Sequence, residues 1–220
     1  NSVLAAVFSL TLAACSPSSA SKATEPANKK AALGDKQMMN HDNMGGMGSG
    51  MMHMDLGPAD AQYDLRFIDA MTPHHQGAVK MAQDALQKSG RPEIKQLARS
   101  IIADQNREIK QMKQWRQAWY PKASNTPIAY DAQMGHSMAM SQSQMQGMMM
   151  NGDLGPADAQ YDLRFINMMI PHHQGAIVMA NDALNKSQRP QIKRLAQSII
   201  TSQQQEIDQM KRWRTLWYQQ

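Results

Sequence analysis

The chain has 220 residues, a formal net charge of +5 and one cysteine. A single Cys excludes an intramolecular disulfide framework and any multi-cysteine zinc or iron–sulfur site, and the modest charge gives little ground for nucleic-acid binding, so no nucleic-acid partner is expected. The outlier is methionine, 21 residues beside three Phe, a surplus of flexible thioethers that points either to adaptable packing or to soft-metal binding.

Residues 1–15, "NSVLAAVFSLTLAAC", form an apolar run too short to span a bilayer and read as the hydrophobic region of a secretory signal. The initiator Met and the usual basic start are missing, so further residues are expected upstream. "LAAC" resembles a bacterial lipoprotein cleavage box, which makes Cys15 the expected lipidated first residue of the mature protein. An ordinary signal peptide ending near the same place is the alternative. Ser16 after the Cys suits outer-membrane sorting in a Gram-negative cell. The expected location is the periplasm or cell envelope, with the membrane reached through a lipid anchor on Cys15.

Residues 16–55 carry Ser, Ala, Lys, Gly and Met without a sustained apolar period and read as a flexible tether. Within it, Met38 to Met54 place seven Met with His41 and His53 among glycines. An internal repeat follows: residues 56–120 align with 154–218 without a gap, with 46 identities in 65 positions. A Met-rich linker, residues 121–153, separates the copies and includes the segment Met134 to Met150 with His136, expected to be mobile like the first. The second unit runs over 154–220.

Each unit predicts a helical hairpin. Pro58 and Pro156 suit the first turn of a helix. Leu65, Ile68, Met71, His75, Ala78, Ala82 and Ala85 then recur at the three-to-four-residue period of an amphipathic helix. "KSGRPE" breaks the chain and Pro92 begins a second helix, whose apolar stripe runs from Ile94 to Met112 and ends at Trp115 and Trp119. Met112 and Met210 read as core, and the Trp clusters as packing at the bundle ends. A hairpin of this size buries too little to be comfortable alone. Two hairpins packed together make a four-helix bundle, so the predicted class is all-α; two separate hairpins, each pairing with another molecule, are the alternative.

"MTPHHQGAVKMA" (Met71 to Ala82) returns 98 positions later as "MIPHHQGAIVMA". Pro73 is expected to kink a continuous helix, because Ile170 stands where Thr72 would have to cap a new one. At 100° per residue both histidines lean toward the apolar face, and Met71 with His74 or His75 lies one turn apart, close enough to share an ion. Met81 lies about 10 Å along the axis from His74, too far without a bridging group. Counting outward from the hairpin turn puts Glu108 roughly level with Met71. Every one of the seven His falls in this motif or in a Met-rich segment. Imidazole with thioether is a soft, neutral ligand set suited to Cu(I) and Ag(I).

"DLRFIDAMTPHHQGAVKMA" and "DLRFINMMIPHHQGAIVMA" resemble the signature of a bacterial helical domain family long labelled as of unknown function, which includes periplasmic copper-binding proteins of the CopM type. The likeness covers both hairpins, about 130 of the 220 residues. It implies a ferritin-like helical bundle that binds copper, favouring Cu(I), in the cell envelope and supports copper tolerance. Carried over by position, it implies Met71, His74, His75 and Met81 as ligands, with Met169, His172, His173 and Met179 in the second copy. Asp64 and Asp162 match the acidic position before "RFI" and are expected to orient an imidazole from behind. His41, His53 and His136 are expected to hold metal in the Met-rich segments.

Three functions compete. The first is a copper-binding lipoprotein that sequesters Cu(I) or hands it to copper-transport or efflux proteins of the envelope. The second is an enzyme, disfavoured because a di-iron bundle needs Glu-x-x-His motifs and none of the four Glu begins one. The third is a helical interaction module of the envelope in which the methionines only pack.

Overall fold

The computed structural model describes residues 55–220; the signal-like segment with Cys15 and the tether histidines His41 and His53 lie outside them. Four long helices carry the fold: α1 (Tyr63–Lys88), α2 (Pro92–Trp119), α4 (Tyr161–Lys186) and α5 (Pro190–Tyr218). Between α2 and α4 lie a two-stranded antiparallel hairpin, β1 (Ile128–Asp131) and β2 (His136–Ala139), and a short helix α3 (Gln142–Met149). Pro92 and Pro190 open α2 and α5 as expected, since the first helical residue has no use for its N–H. Pro73 and Pro171 sit inside unbroken helices.

Pro58 and Pro156, by contrast, precede their helices by five residues. The Asp60 N–H bonds the Pro58 carbonyl and its carboxylate accepts the Gln62 N–H, so a turn consumes the groups that a helix would need. Arg66 then reaches back from α1 to the Leu56 and Pro58 carbonyls, at 2.6 Å each, and clamps that turn in place. Arg164 repeats the clamp on Leu154 and Pro156.

The apolar stripes meet in two clusters, and each cluster draws on both repeats. One joins Tyr63, Phe67 and Met71 of α1 to Met179, Ala180 and Ala183 of α4 and Ile192, Leu195 and Ile199 of α5. The other joins Phe165, Ile166 and Met169 of α4 to Met81, Ala82 and Ala85 of α1 and Ile94, Leu97 and Ile101 of α2. Neither hairpin owns a core, so the two repeats fold as one bundle. With each buried Phe or Ile contributing about 1.5–3 kcal/mol, a hairpin alone would forfeit the part of this stabilisation that the other repeat supplies. Met112 and Met210 are fully buried in these clusters, in keeping with their reading as core.

Reciprocal polar ties show that α1 and α4 run antiparallel. The Tyr63 hydroxyl donates to Asp182 and the Tyr161 hydroxyl to Asp84, both at 2.8 Å. At the two ends, Arg189 stacks 4.3 Å over Trp119 and Arg91 stacks 4.1 Å over Trp217. Trp115–Trp119 and Trp213–Trp217 are stacked pairs, which fits their expected role in end packing. Among the described residues no helix is long and apolar enough to cross a membrane.

The segment Met134 to Met150, expected to be mobile, is folded here as β2 and α3. Asp131 accepts the Gln133 and Met134 N–H groups in the hairpin turn, Gly135 supplies a φ of +73°, and Ser141 and Gln144 form a capping box on α3. These local signals are strong, and Ala129, Met140 and Met148 are buried against the bundle. The strap so formed docks on α1. Asp69 accepts the Ile128 N–H at 2.9 Å, and Arg116 ties Asp69 to the Ser124 carbonyl. A Cβ at Gly77 would overlap the Met149 carbonyl oxygen, so only glycine lets α3 close on α1 there.

Candidate metal centre

The two HH pairs lie between the two apolar clusters, at the middle of α1 and α4. All four rings are buried: His74 is 2% exposed, His172 1%, and His75 and His173 0%. Their place follows from the helical phase, since positions 71, 74, 75, 78 and 82 form the inward stripe. Antiparallel packing of two copies brings the first histidines together, with the His74 and His172 ring centroids 3.9 Å apart. Gly175 permits this approach, because a Cβ there would stand 3.3 Å from His74 Nε2.

The second histidine of each pair points the other way, toward its own hairpin partner. His75 Nε2 lies 2.7 Å from Glu108 Oε2, and His173 Nε2 lies 2.7 Å from Glu206 Oε2. Six ring nitrogens are left buried without a hydrogen-bond partner: both of His74, both of His172, and Nδ1 of His75 and His173. The Met149 and His74 backbones lie near the His172 ring without hydrogen-bond geometry. Burial, reinforced by the charges of the neighbouring imidazoles, holds His74 and His172 well below the ordinary histidine pKa and hence neutral. Neutral imidazoles with free lone pairs in the interior are metal-ligand chemistry.

The thioethers sort by cluster. Met71 and Met179 share one, Met81 and Met169 the other, and all four are buried. Met81, too distant from His74 along its own helix, therefore falls in with a methionine of the other repeat. Among the described residues no group of three or more His, Cys, Asp or Glu side chains is arranged to hold a metal ion.

One expectation about positions fails. Asp64 and Asp162 do not orient an imidazole: Asp64 pairs with Arg189 at 3.3 Å and Asp162 with Arg91 at 3.6 Å. The motif match ignored the eleven-residue step from Asp64 to His75, about 16 Å of helix at 1.5 Å per residue. Glu108 and Glu206 hold the histidines instead. Register counting had placed Glu108 to within a turn, but the projection of one helix says nothing about which neighbouring group reaches it. His136 stands apart from the buried layer, exposed on β2 with its Nδ1 3.0 Å from the Met134 carbonyl.

Fold and site together define a tandem-repeat helical bundle with a buried histidine layer. The chain belongs to the family described as Domain of unknown function (DUF305), whose model matches residues 16–116 and, in a second overlapping copy, 64–214. It is similar to CopM in its Cu(I)-bound form, at 41% identity and a TM-score of 0.54, over 70% of this chain and 97% of that one. The Cu(II)-bound form gives 46% identity and a TM-score of 0.56 over the same shares. A DUF305 protein from Streptomyces coelicolor, described as secreted, is 27% identical with a TM-score of 0.52, over 67% of this chain and 88% of that one. Uncharacterized protein L153 of Acanthamoeba polyphaga mimivirus is 49% identical over 49 residues, 22% of this chain and 32% of that protein.

Proposed function

We propose that this is an exported copper-binding protein that sequesters Cu(I), or Ag(I), and hands it on, in support of copper homeostasis. The observation that carries the reading is the buried layer of six unpartnered imidazole nitrogens flanked by the buried thioethers of Met71 and Met169. A layer built for packing would leave polar atoms unsatisfied at a cost of about 1–3 kcal/mol each, whereas soft cations would satisfy the one lone pair that each neutral ring carries. The similarity to CopM, solved with Cu(I), Cu(II) and Ag, supports the same reading. Copper is cargo here, and the protein is not an enzyme.

An extracytoplasmic location agrees with the signal-like residues 1–15 and with the secreted relative. Lipidation of Cys15 would hold the protein at the membrane, and copper-transport or efflux proteins of the envelope are the proposed recipients. His41, His53 and His136, each within two residues of a methionine, are proposed as outer soft ligands that capture the ion before it reaches the bundle. The test is X-ray absorption at the copper edge on the full chain loaded anaerobically with Cu(I). The expected spectrum contains both imidazole nitrogen and thioether sulfur. A sulfur-only shell would place the ion outside the histidine layer, and failure to load would remove the copper reading in favour of an interaction module.

A further inference from the structure

We infer that Glu108 and Glu206 are positioning residues that fix the tautomer of His75 and His173 and thereby make Nδ1 of each the metal-ligating nitrogen. The inference rests on the copper reading and adds to it the atom that binds and the residues that select it.

The argument starts from what each group can do. A carboxylate only accepts hydrogen bonds, so the 2.7 Å contacts require the hydrogen on Nε2 of His75 and of His173. A neutral imidazole carries one N–H, which leaves the lone pair on Nδ1. That atom is buried and has no partner in either repeat. The tie also stops the ring from flipping, because a flip would put the ring carbon Cε1 where Nε2 meets the carboxylate and break the hydrogen bond. Met71 lies one turn before His75 on the same inward face, and Met169 stands likewise before His173, so a thioether is at hand for an ion on Nδ1.

The first histidines differ. Neither nitrogen of His74 or His172 is tied, so their tautomers are free and their rings can adapt. Each motif thus pairs one fixed imidazole with one adaptable one. The two carboxylates also border open grooves between α2 and α5, Glu108 beside Arg107 and Lys110, Glu206 beside Gln209 and Arg212. The histidines behind them are wholly buried, so each Glu is the step between solvent and the layer. When a cation sits on Nδ1, the Nε2–H becomes a stronger donor and the carboxylate holds it more tightly, the usual way in which an outer partner raises metal affinity.

The test is nitrogen-15 NMR of the histidine rings in the metal-free full chain, followed by titration with Ag(I). The expected wild-type pattern has Nε2 protonated and Nδ1 unprotonated at His75 and His173, with the silver-induced shift on Nδ1. Glu108→Gln keeps an acceptor and preserves the tautomer. Glu108→Leu with Glu206→Leu mixes the tautomers and weakens Ag(I) or Cu(I) binding about 10- to 100-fold. A protonated Nδ1 in the metal-free wild type overturns the inference, as does a leucine variant with unchanged tautomer and affinity. A silver shift at Nε2 overturns the ligand assignment while leaving the copper reading standing. No silver shift at all, with the Nε2–H tautomer intact, overturns it through failure of that reading.

Discussion

Arg66→Ala is expected to lower unfolding stability by about 2–4 kcal/mol, at about 1–3 kcal/mol for each buried acceptor left without a donor. Arg66 is 1% exposed and serves the Leu56 and Pro58 carbonyls, the Asp60 carboxylate and the Ser137 hydroxyl of the strap. Its loss leaves those acceptors without a donor and frees the strap from the start of α1. Arg164 provides an internal control. It makes the equivalent carbonyl contacts, but its side chain is 34% exposed and, among the described residues, no strap covers it. Arg164→Ala is therefore expected to cost about 1 kcal/mol or less, since water replaces the lost partner. Denaturant unfolding of the two variants distinguishes them, and equal losses would contradict the asymmetry assigned to the strap.

The second large effect is on acid stability of the metal-free protein. His74 and His172 are held neutral by burial, well below the reference value of 6.5 that applies to the unfolded chain. As pH falls through about 6.5 the unfolded chain takes up these protons and the folded one does not. The contribution is therefore fully present above that pH and is lost as pH falls toward the depressed folded values. Each histidine adds a slope of up to about 1.4 kcal/mol per pH unit, or about 2.7 kcal/mol per unit for both. Thermal unfolding of metal-free protein at stepped pH between 7.5 and 5 measures it. His74→Met with His172→Met keeps the bulk, removes the titration and should flatten the profile. A flat wild-type profile would contradict the burial of these rings.

What the sequence disclosed and what it hid divide along a physical line. Features carried by local periodicity were legible: the tandem repeat, the hairpins, the proline starts at Pro92 and Pro190, the unbroken helix through Pro73 and the inward lean of both histidines. All of these depend on residues within a few turns of one another. The strap was missed because attention went to its methionines and glycines, although Ser141 and Gln144 already spelled a capping box and Asp131 with Gly135 a turn. The late start of α1 was missed for a similar reason, since Asp60 competes with Pro58 for the same backbone groups. Across-bundle facts were not legible. The pairing of His74 with His172, the sorting of Met81 with Met169, and the choice of Glu108 over Asp64 as the histidine's partner all depend on which helix faces which, and at what height.

That division also explains why the shared layer changes the chemistry. Two separate hairpins would each present one HH pair with only its own methionines. Antiparallel packing instead brings four imidazoles into one layer, with thioethers of both repeats on either side. The inward histidines of both repeats meet only in that arrangement.

The most direct test of the histidine layer is an anaerobic Cu(I) titration of the full chain against a colorimetric chelator, comparing wild type with a variant in which His74, His75, His172 and His173 are all alanine. The account predicts tight binding by the wild type and a loss of two or more bound ions in the variant, with helicity retained by circular dichroism. Undiminished binding by a folded variant would contradict it, moving the ion to the Met-rich segments and leaving the buried histidines as packing.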